Sequence, residues 1–424
     1  MPPDWKQLSL GEFVRLQRGH DLTASEQRSG LVPVMGSAGQ NGTHSSALAL
    51  GPGVVIGRSG ASMGRVHYCE QDFWPHNTCL YVTDFLGNNP LFAYYKLSQL
   101  DLARYNSGSA QPSLNRNYIY GMPLEIPGRD AQDKVARVIH AFDRRIDLNR
   151  RINQTLEALA QAIFKSWFVD FDPVKAKIAA KAEGRDPLRA AMSAISGKTD
   201  AKLDALPPEQ HTQLAATAAL FPDEMEDSEL GEIPKGWSAS SFGAVSTCFD
   251  RLRIPLSSRE REKRQGTVPY YGATSVMDYV DEAIFDDVYL LLGEDGSVLK
   301  PDGTPFVQYI WGKSWVNNHA HVLQGTNGVS TEQLMLFIST QNISAFVTGA
   351  VQLKLNQKNM NSIPFIKAPL ETNKRFGELI SPFFAKHRTR VEETRTLTEL
   401  RDSLLPRLLS GELKVHSTEP EVAV

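Results

Sequence analysis

One stretch of this chain is written twice. Gly108-Ser109-Ala110-Gln111-Pro112-Ser113-Leu114-Asn115 returns as Gly349-Ala350-Val351-Gln352-Leu353-Lys354-Leu355-Asn356, keeping the Gly, Gln, Leu and Asn at a spacing of 241 residues (108 to 349). Trp74-Pro75-His76-Asn77 and Trp315-Val316-Asn317-Asn318 keep that spacing (74 to 315). Further upstream, Pro33-Val34-Met35-Gly36 answers Pro269-Tyr270-Tyr271-Gly272, and Ile56-Gly57-Arg58-Ser59-Gly60 answers Leu292-Gly293-Glu294-Asp295-Gly296, both at 236 (33 to 269, 56 to 292). The second copy therefore carries a short insertion, expected near Lys300-Pro301-Asp302-Gly303. Both copies open alike, with Trp5 shortly before Leu8-Ser9-Leu10-Gly11 and Trp237 shortly before Phe242-Gly243. A domain used twice is the reading that organises everything else.

Within each copy, short apolar runs such as Val54-Val55-Ile56 and Val288-Tyr289-Leu290-Leu291-Leu292 alternate with Gly, Asn, Asp and Pro. That is the pattern of strands and turns. After Pro127-Gly128 and after Ala368-Pro369 the character changes to helical periodicity almost without glycine. In the first such segment Val135, Ile139, Phe142, Ile146, Asn149, Asn153, Leu156, Ala160, Ile163 and Trp167 follow an unbroken four-three spacing, a coiled-coil seam that Val138, Ile152 and Leu159 widen. In the second, Phe376, Ile380, Phe383, Val391, Leu397, Leu400 and Leu404 are less regular, and Pro406 and Gly411 mark its end. Asn149 and Asn153 lie on the seam, where a buried polar residue fixes register and a solvated one does nothing.

The expected architecture is of the mixed α/β (α+β) class. Two similar strand-rich domains, at 1–128 and 231–369, are separated by two long antiparallel coiled-coil helices, at 129–171 and 370–414, in pseudo-two-fold arrangement. Short helices and a linker fill 172–230, and the polar tail at 415–424 is expected to be disordered.

Composition narrows the function. Hydrophobic residues at 41% and charged ones at 22% are ordinary for a globular protein. The N-terminus lacks the apolar core of a signal peptide and no stretch reaches the ~18 apolar residues of a membrane span, so a cytoplasmic protein is expected. Cys69, Cys79 and Cys248 fit neither a disulfide framework nor a paired zinc pattern. Gly312-Lys313-Ser314 resembles a phosphate loop only in part, since Val307 stands where the first glycine belongs. No Asn/Asp-Pro-Pro-aromatic tetrapeptide or glycine-rich strand-turn-helix is found for methyl transfer. Asp281-Glu282 and Asp286-Asp287 read as solvated turn residues, and His319 and His321 as strand packing in preference to metal ligands. We expect no catalysis, metal or cofactor in this chain.

What remains is polar chemistry in equivalent loops. Gln and Asn suit adenine and Arg and Lys suit guanine in the major groove, and Gln111, Arg116 and Asn117 in the first copy face Gln352, Lys354 and Lys358 in the second. Asn115 and Asn356, identical in both, fit turn caps better. Residues that read different bases must differ between copies, which singles out Arg58 and Arg65 against Glu294 and Leu299, and Ser113 against Lys354. With a net charge of -3, any phosphate contact has to be local. The second copy offers Arg251, Arg253, Arg259, Arg261, Lys263 and Arg264, which read either as a phosphate-binding cluster or as a solvated surface. The first offers the sparser Arg15, Arg18 and His20.

Ile146-Asp147-Leu148-Asn149-Arg150-Arg151-Ile152-Asn153-Gln154-Thr155-Leu156-Glu157, then Phe164-Lys165-Ser166-Trp167-Phe168-Val169-Asp170-Phe171-Asp172-Pro173-Val174, resembles the central helical region of specificity subunits of type I restriction-modification systems. Ser228-Glu229-Leu230-Gly231-Glu232-Ile233-Pro234-Lys235-Gly236-Trp237 resembles that family's entry to its second recognition domain, and the likeness covers nearly the whole chain. The resemblance implies a non-catalytic subunit that binds a split site in double-stranded DNA, each recognition domain reading one half. Its helices would act as a ruler: from Lys134 to Trp167 the first spans on the order of 50 Å at ~1.5 Å per residue, comparable with a ~34 Å turn of DNA. It further implies two methylation subunits clamped on Phe142, Ile146, Asn149, Asn153, Leu156, Phe376, Phe383 and Leu397, and motor-nuclease subunits beyond them. S-adenosylmethionine, ATP and magnesium would belong to those partners. The residues alone also allow a non-enzymatic scaffold joining two protein ligands.

Overall fold

The computed structural model describes residues 5–108, 111–349 and 351–415. The expected tail from 416 onward, and Ser109, Ala110 and Ala350 of the repeated motif, lie outside the described residues. The chain forms two compact units, one made of Met1–Arg150 with Val391–Val424 and the other of Arg151–Arg390.

Each unit is built around one four-stranded antiparallel sheet. In the first unit the order is Arg15–Arg18, Cys79–Asp84, Gly53–Gly57, Val66–Cys69. In the second, Ser246–Cys248, Ala320–Gly325, Tyr289–Gly293 and Val307–Ile310 follow the same order. The central strands Gly53–Gly57 and Tyr289–Gly293 are buried along their whole length, which is why they read as continuous apolar runs instead of alternating ones. Their side chains divide by the strand period of two. Val54 and Ile56 join a core with Phe92 and Ala93 of the covering helix Pro90–Ser98, while Val55 faces Met35, Phe73 and Tyr81. Leu290 and Leu292 join Leu334 and Leu336 of the helix Thr331–Ile338, while Leu291 faces Phe285, Val316 and Val322. Each such buried aliphatic side chain contributes about 1.5–3 kcal/mol.

A second sheet repeats as well. Val34 pairs in parallel with Trp74 in one unit, and Tyr270 with Trp315 in the other, so the tryptophan landmarks of the repeat hold the same strand position. The insertion falls as expected. Gly57 N–H bonds Arg65 O and Gly293 N–H bonds Phe306 O, closing a short loop in the first copy and a longer one, with Leu299 bridged to Pro305, in the second.

The long helices run Arg129–Phe168 and Leu370–Leu409 and are antiparallel within each unit. In the first unit Arg145 meets Glu393 at 2.7 Å and Asp143 meets Arg401 at 2.8 Å. In the second, Glu157 meets His387 at 2.8 Å and Phe164 packs on Phe376. Each helix is tied to its own sheet-covering helix by one buried amide near its start. Gln132 accepts from Asn89 N–H and donates to Pro127 O at 2.9 Å each; Asn373 accepts from Gln333 Nε2 and donates to Ala368 O at 2.8 Å each. The second helix continues through Pro406 and ends at Leu409, before Gly411. Leu405, Leu408 and Leu409 are buried in the first unit's core, and that packing offsets the ~3 kcal/mol cost of a proline in a helix.

Along the first helix the seam is turned inward: Val135, Ile139, Ile146, Asn149, Ala160 and Trp167 are buried. Leu159, expected to widen it, is 47% exposed, as is Leu400 of the second helix. The segment 172–230 folds into the helices Asp172–Ala182, Pro187–Ser196, Asp200–Asp204 and Pro208–Ala219, then the hairpin strand Met225–Ser228 paired with Gly231–Pro234. That hairpin was not expected, because Glu226 and Asp227 are exposed and leave no apolar alternation to read.

Candidate nucleic-acid interface

The repeated loop sits in the same place in both units. In the first, Ser59 bridges Ser113 and Leu114 N–H bonds Arg58 O; in the second, Asp295 bridges Lys354 and Leu355 N–H bonds Glu294 O. The loop thus docks on the end of the buried central strand and presents its polar side chains from a rigid base. Asn115 caps the short helix Arg116–Ile119 through Asn117 N–H, and Asn356 caps Gln357–Asn361 through Asn359 N–H. Both shared asparagines are therefore turn caps.

In the first unit this docking gathers Arg18, His20, Arg58, Ser113, Arg116 and Asn117 around one polar groove of about 540 Å³, with Gln17 and Ser107 completing its wall. Arg58 is held by a bond from Nη1 to Asn77 O at 3.1 Å, and Arg116 by one from Nη1 to Leu16 O at 2.7 Å. His20 Nε2 lies 3.2 Å from Tyr81 Oη, and Arg18 pairs at the rim with Asp21 at 3.0 Å. Arg65 and Gln111 are exposed and lie outside this groove.

In the second unit the corresponding place is filled by charges that satisfy one another. Arg253 meets Glu294 at 2.6 Å and Asp250 at 3.2 Å, and also donates to Ala320 O. His321 is buried, with Nδ1 at 2.6 Å from Asp250 Oδ2 and Nε2 at 2.7 Å from Leu355 O. Leu355 O can only accept, so Nε2 is the donor in that bond. Burial opposes the charge on Asp250, but the hydrogen bond and charge of His321, with Val322 N–H and Arg253, hold its carboxyl below the usual range. Cys248, Asp250 and His321 bring possible metal-ligand atoms within 4.8 Å of one another. However, both nitrogens of His321 are engaged, by Asp250 and by Leu355 O, and burial pushes the Cys248 thiol up to about 12. Lys354 stays half exposed with Nζ 4.0 Å from Glu294, Gln352 Nε2 bonds Asp295 at 2.8 Å, and Lys358 is exposed.

The basic cluster of the second copy divides. Arg253, Arg261 and Arg264 are structural. Arg261 pairs with Asp278 at 3.0 Å and lies over Tyr270; Arg264 pairs with Asp281 and Glu282 and lies over Trp315. Arg251, Arg259 and Lys263 remain exposed. The carboxylates that claim those arginines were missed in the sequence because Asp278, Asp281 and Glu294 lie 17 to 41 residues away along the chain.

The residues expected to hold partner subunits are largely used inside the chain. Ile146, Asn149 and Phe376 are buried, and Phe142, Asn153, Leu156, Phe383 and Leu397 are half-buried. Phe376 packs on Phe164, Trp167 and Phe168 of the first helix, while Leu148 and Leu159 are exposed on that helix.

Comparison with known proteins agrees with the duplication. Residues 2–158 and 234–400 each match the family described as type I restriction modification DNA specificity domain. The chain is 30% identical over 363 residues to the type I restriction enzyme HindI specificity subunit of Haemophilus influenzae, covering 77% of this chain and 76% of that protein. It is 22% identical over 348 residues to the MjaIX specificity subunit of Methanocaldococcus jannaschii, covering 77% and 69%. The crystal structure of the type I restriction-modification S subunit from M. genitalium shares the fold, with a TM-score of 0.63 at 16% identity over 98% of this chain and 97% of that one. With a duplicated match across most of its length, this chain belongs to the type I restriction-modification DNA specificity family, as a specificity subunit.

Proposed function

We propose that the chain reads a DNA target in two parts, each strand-rich domain taking one half, and that it directs adenine methylation and ATP-dependent cleavage carried out by partner subunits. The observation that carries this reading is the paired loop. The same polar segment is seated on the same strand end in both units, yet the chemistry presented is exchanged, Arg58 beside Ser113 in one and Glu294 beside Lys354 in the other. Equal scaffolds with unequal side chains are what two different half-sites require. The domain limits of 1–128 and 231–369 belong to this proposal, as do two methylation subunits, motor-nuclease subunits, and S-adenosylmethionine, ATP and magnesium held by those partners. Among the described residues no helix is long and apolar enough to cross a membrane, in keeping with action on DNA in the cytoplasm.

Single-molecule methylome sequencing of a host expressing this chain with its partners is expected to show adenine methylation at a split motif. Exchanging 8–126 for the same segment of a relative is expected to change one half of that motif only. No new split motif in any host would count against the proposal; simultaneous change of both halves would remove its modular part.

A further inference from the structure

We propose that the groove of the first unit is a seat for a phosphate oxyanion of the DNA backbone, and that the matching place in the second unit has been closed to phosphate by its own ion pairs. The proposal rests on the DNA reading above and adds an asymmetry to it.

The groove has the chemistry of an anion site. Arg18, Arg58 and Arg116 with His20 border it, Ser113 adds a hydroxyl, the Ser107 hydroxyl is spent on Ser113 O, and among the described residues no carboxylate lines it. What holds Arg58 and Arg116 matters most. Arg58 and Arg116 are anchored by neutral carbonyl oxygens, Asn77 O and Leu16 O. A guanidinium has five N–H donors, so one such bond fixes its position while leaving its charge and most of its donors uncompensated. Among the described residues only Arg18, at the rim, meets a carboxylate, in an exposed pair with Asp21, and exposed pairs are worth little and exchange readily.

The second unit inverts each of these features. Where the first unit has Arg58, it has Glu294, and the nearby guanidinium of Arg253 is held by Glu294 and Asp250 together. Where the first unit has Leu80 in the groove wall, the second has His321, buried between Asp250 and Leu355 O. A phosphate arriving there would meet two carboxylates and an arginine already neutralised. At this position phosphate binding therefore falls to the first unit, and the second is left with Lys354, Gln352 and the exposed Arg251, Arg259 and Lys263 for outer contacts.

Salt dependence separates these roles, because each phosphate neutralised by a cationic side chain adds about 0.9 to the slope of log K against log salt on duplex DNA. With the full chain in complex with its partner subunits and a fluorescent duplex, Arg18→Gln, Arg58→Gln and Arg116→Gln are each expected to lower that slope, by no more than the ~0.9 of the one phosphate they share, and Arg18→Lys to restore it. Glu294→Gln, which removes a negative charge from the second unit, is expected not to lower it. Arg116 and Arg18 are both exposed, so their variants decide the matter even if Arg58→Gln impairs folding. Normal duplex binding with an unchanged slope in both Arg18→Gln and Arg116→Gln would overturn the phosphate seat and leave the DNA reading standing. Failure of the wild-type complex to bind any duplex would remove both. Inorganic phosphate at constant ionic strength is expected not to displace the duplex; saturation of the groove by free phosphate below about 1 mM without DNA would overturn the assignment to backbone phosphate.

Discussion

Glu294 receives a hydrogen bond from Arg253 at 2.6 Å in a pair whose side chains are only 15% and 11% exposed. Removing one partner of a buried pair strands the other, at a cost of about 3–5 kcal/mol. Arg253→Ala is therefore expected to lower the thermal midpoint of the chain markedly, while Arg259→Ala, at an exposed position six residues on, leaves it unchanged. Equal midpoints for the two variants would refute the division of the basic cluster into structural and outward-facing members.

The same network sets an acid limit. A carboxyl held below its ordinary value contributes stability that is fully present above the unfolded value of about 3.9 and is lost as pH falls through the lower folded value. Asp250 is such a group, with burial outweighed by His321, Val322 N–H and Arg253. Wild-type chain is expected to lose stability below about pH 4 more steeply than Asp250→Asn. Parallel melting curves for both from pH 7 to pH 3 would show that Asp250 has no such part.

Asn149 is fully buried on the helical seam, and neither amide atom has a hydrogen-bond partner. An unsatisfied buried polar group costs about 1–3 kcal/mol. Asn149→Leu, close in volume and apolar, should raise the denaturation midpoint by a corresponding amount. A lower midpoint would mean that the amide is satisfied in solution or that it holds the helices in register.

The thiols give an independent test of packing. Burial pushes Cys79 and Cys248 up to about 12 and raises Cys69 as well. Since the thiolate is the reactive form, native protein at pH 8 should react slowly with a disulfide reagent, and three thiols should appear on unfolding in denaturant. Rapid modification of Cys79 in the native state would contradict its placement beneath the first sheet.

Much of this fold could be read from the chain because a duplication leaves marks that survive divergence. The spacings of 236 and 241, set by Pro33 to Pro269 and Trp74 to Trp315, located equivalent strands and the loop between them. The helical seam was legible for the same reason, since its period is local. What escaped was the pairing of charges. Arg253, Arg261 and Arg264 look identical in sequence to the exposed Arg259, and only the fold brings Glu294, Asp278 and Asp281 against them. The Met225–Ser228 hairpin escaped because an exposed two-stranded ribbon needs no apolar pattern. Leu159 and Leu400 were placed on the seam by spacing that ignored the slow drift of a real helix around its axis.

The first unit's core contains Leu10 and Phe13 from the start of the chain together with Leu405, Leu408 and Leu409 from near its end. That core joins segments almost 400 residues apart along the chain (10 to 405). During translation Leu10 and Phe13 stay without these closing partners until almost 400 further residues have been made, a long interval of exposed apolar surface in which early assembly with another subunit or a chaperone would be an advantage. A chain cut after Arg390 would keep every residue of the second unit and would leave the first permanently open.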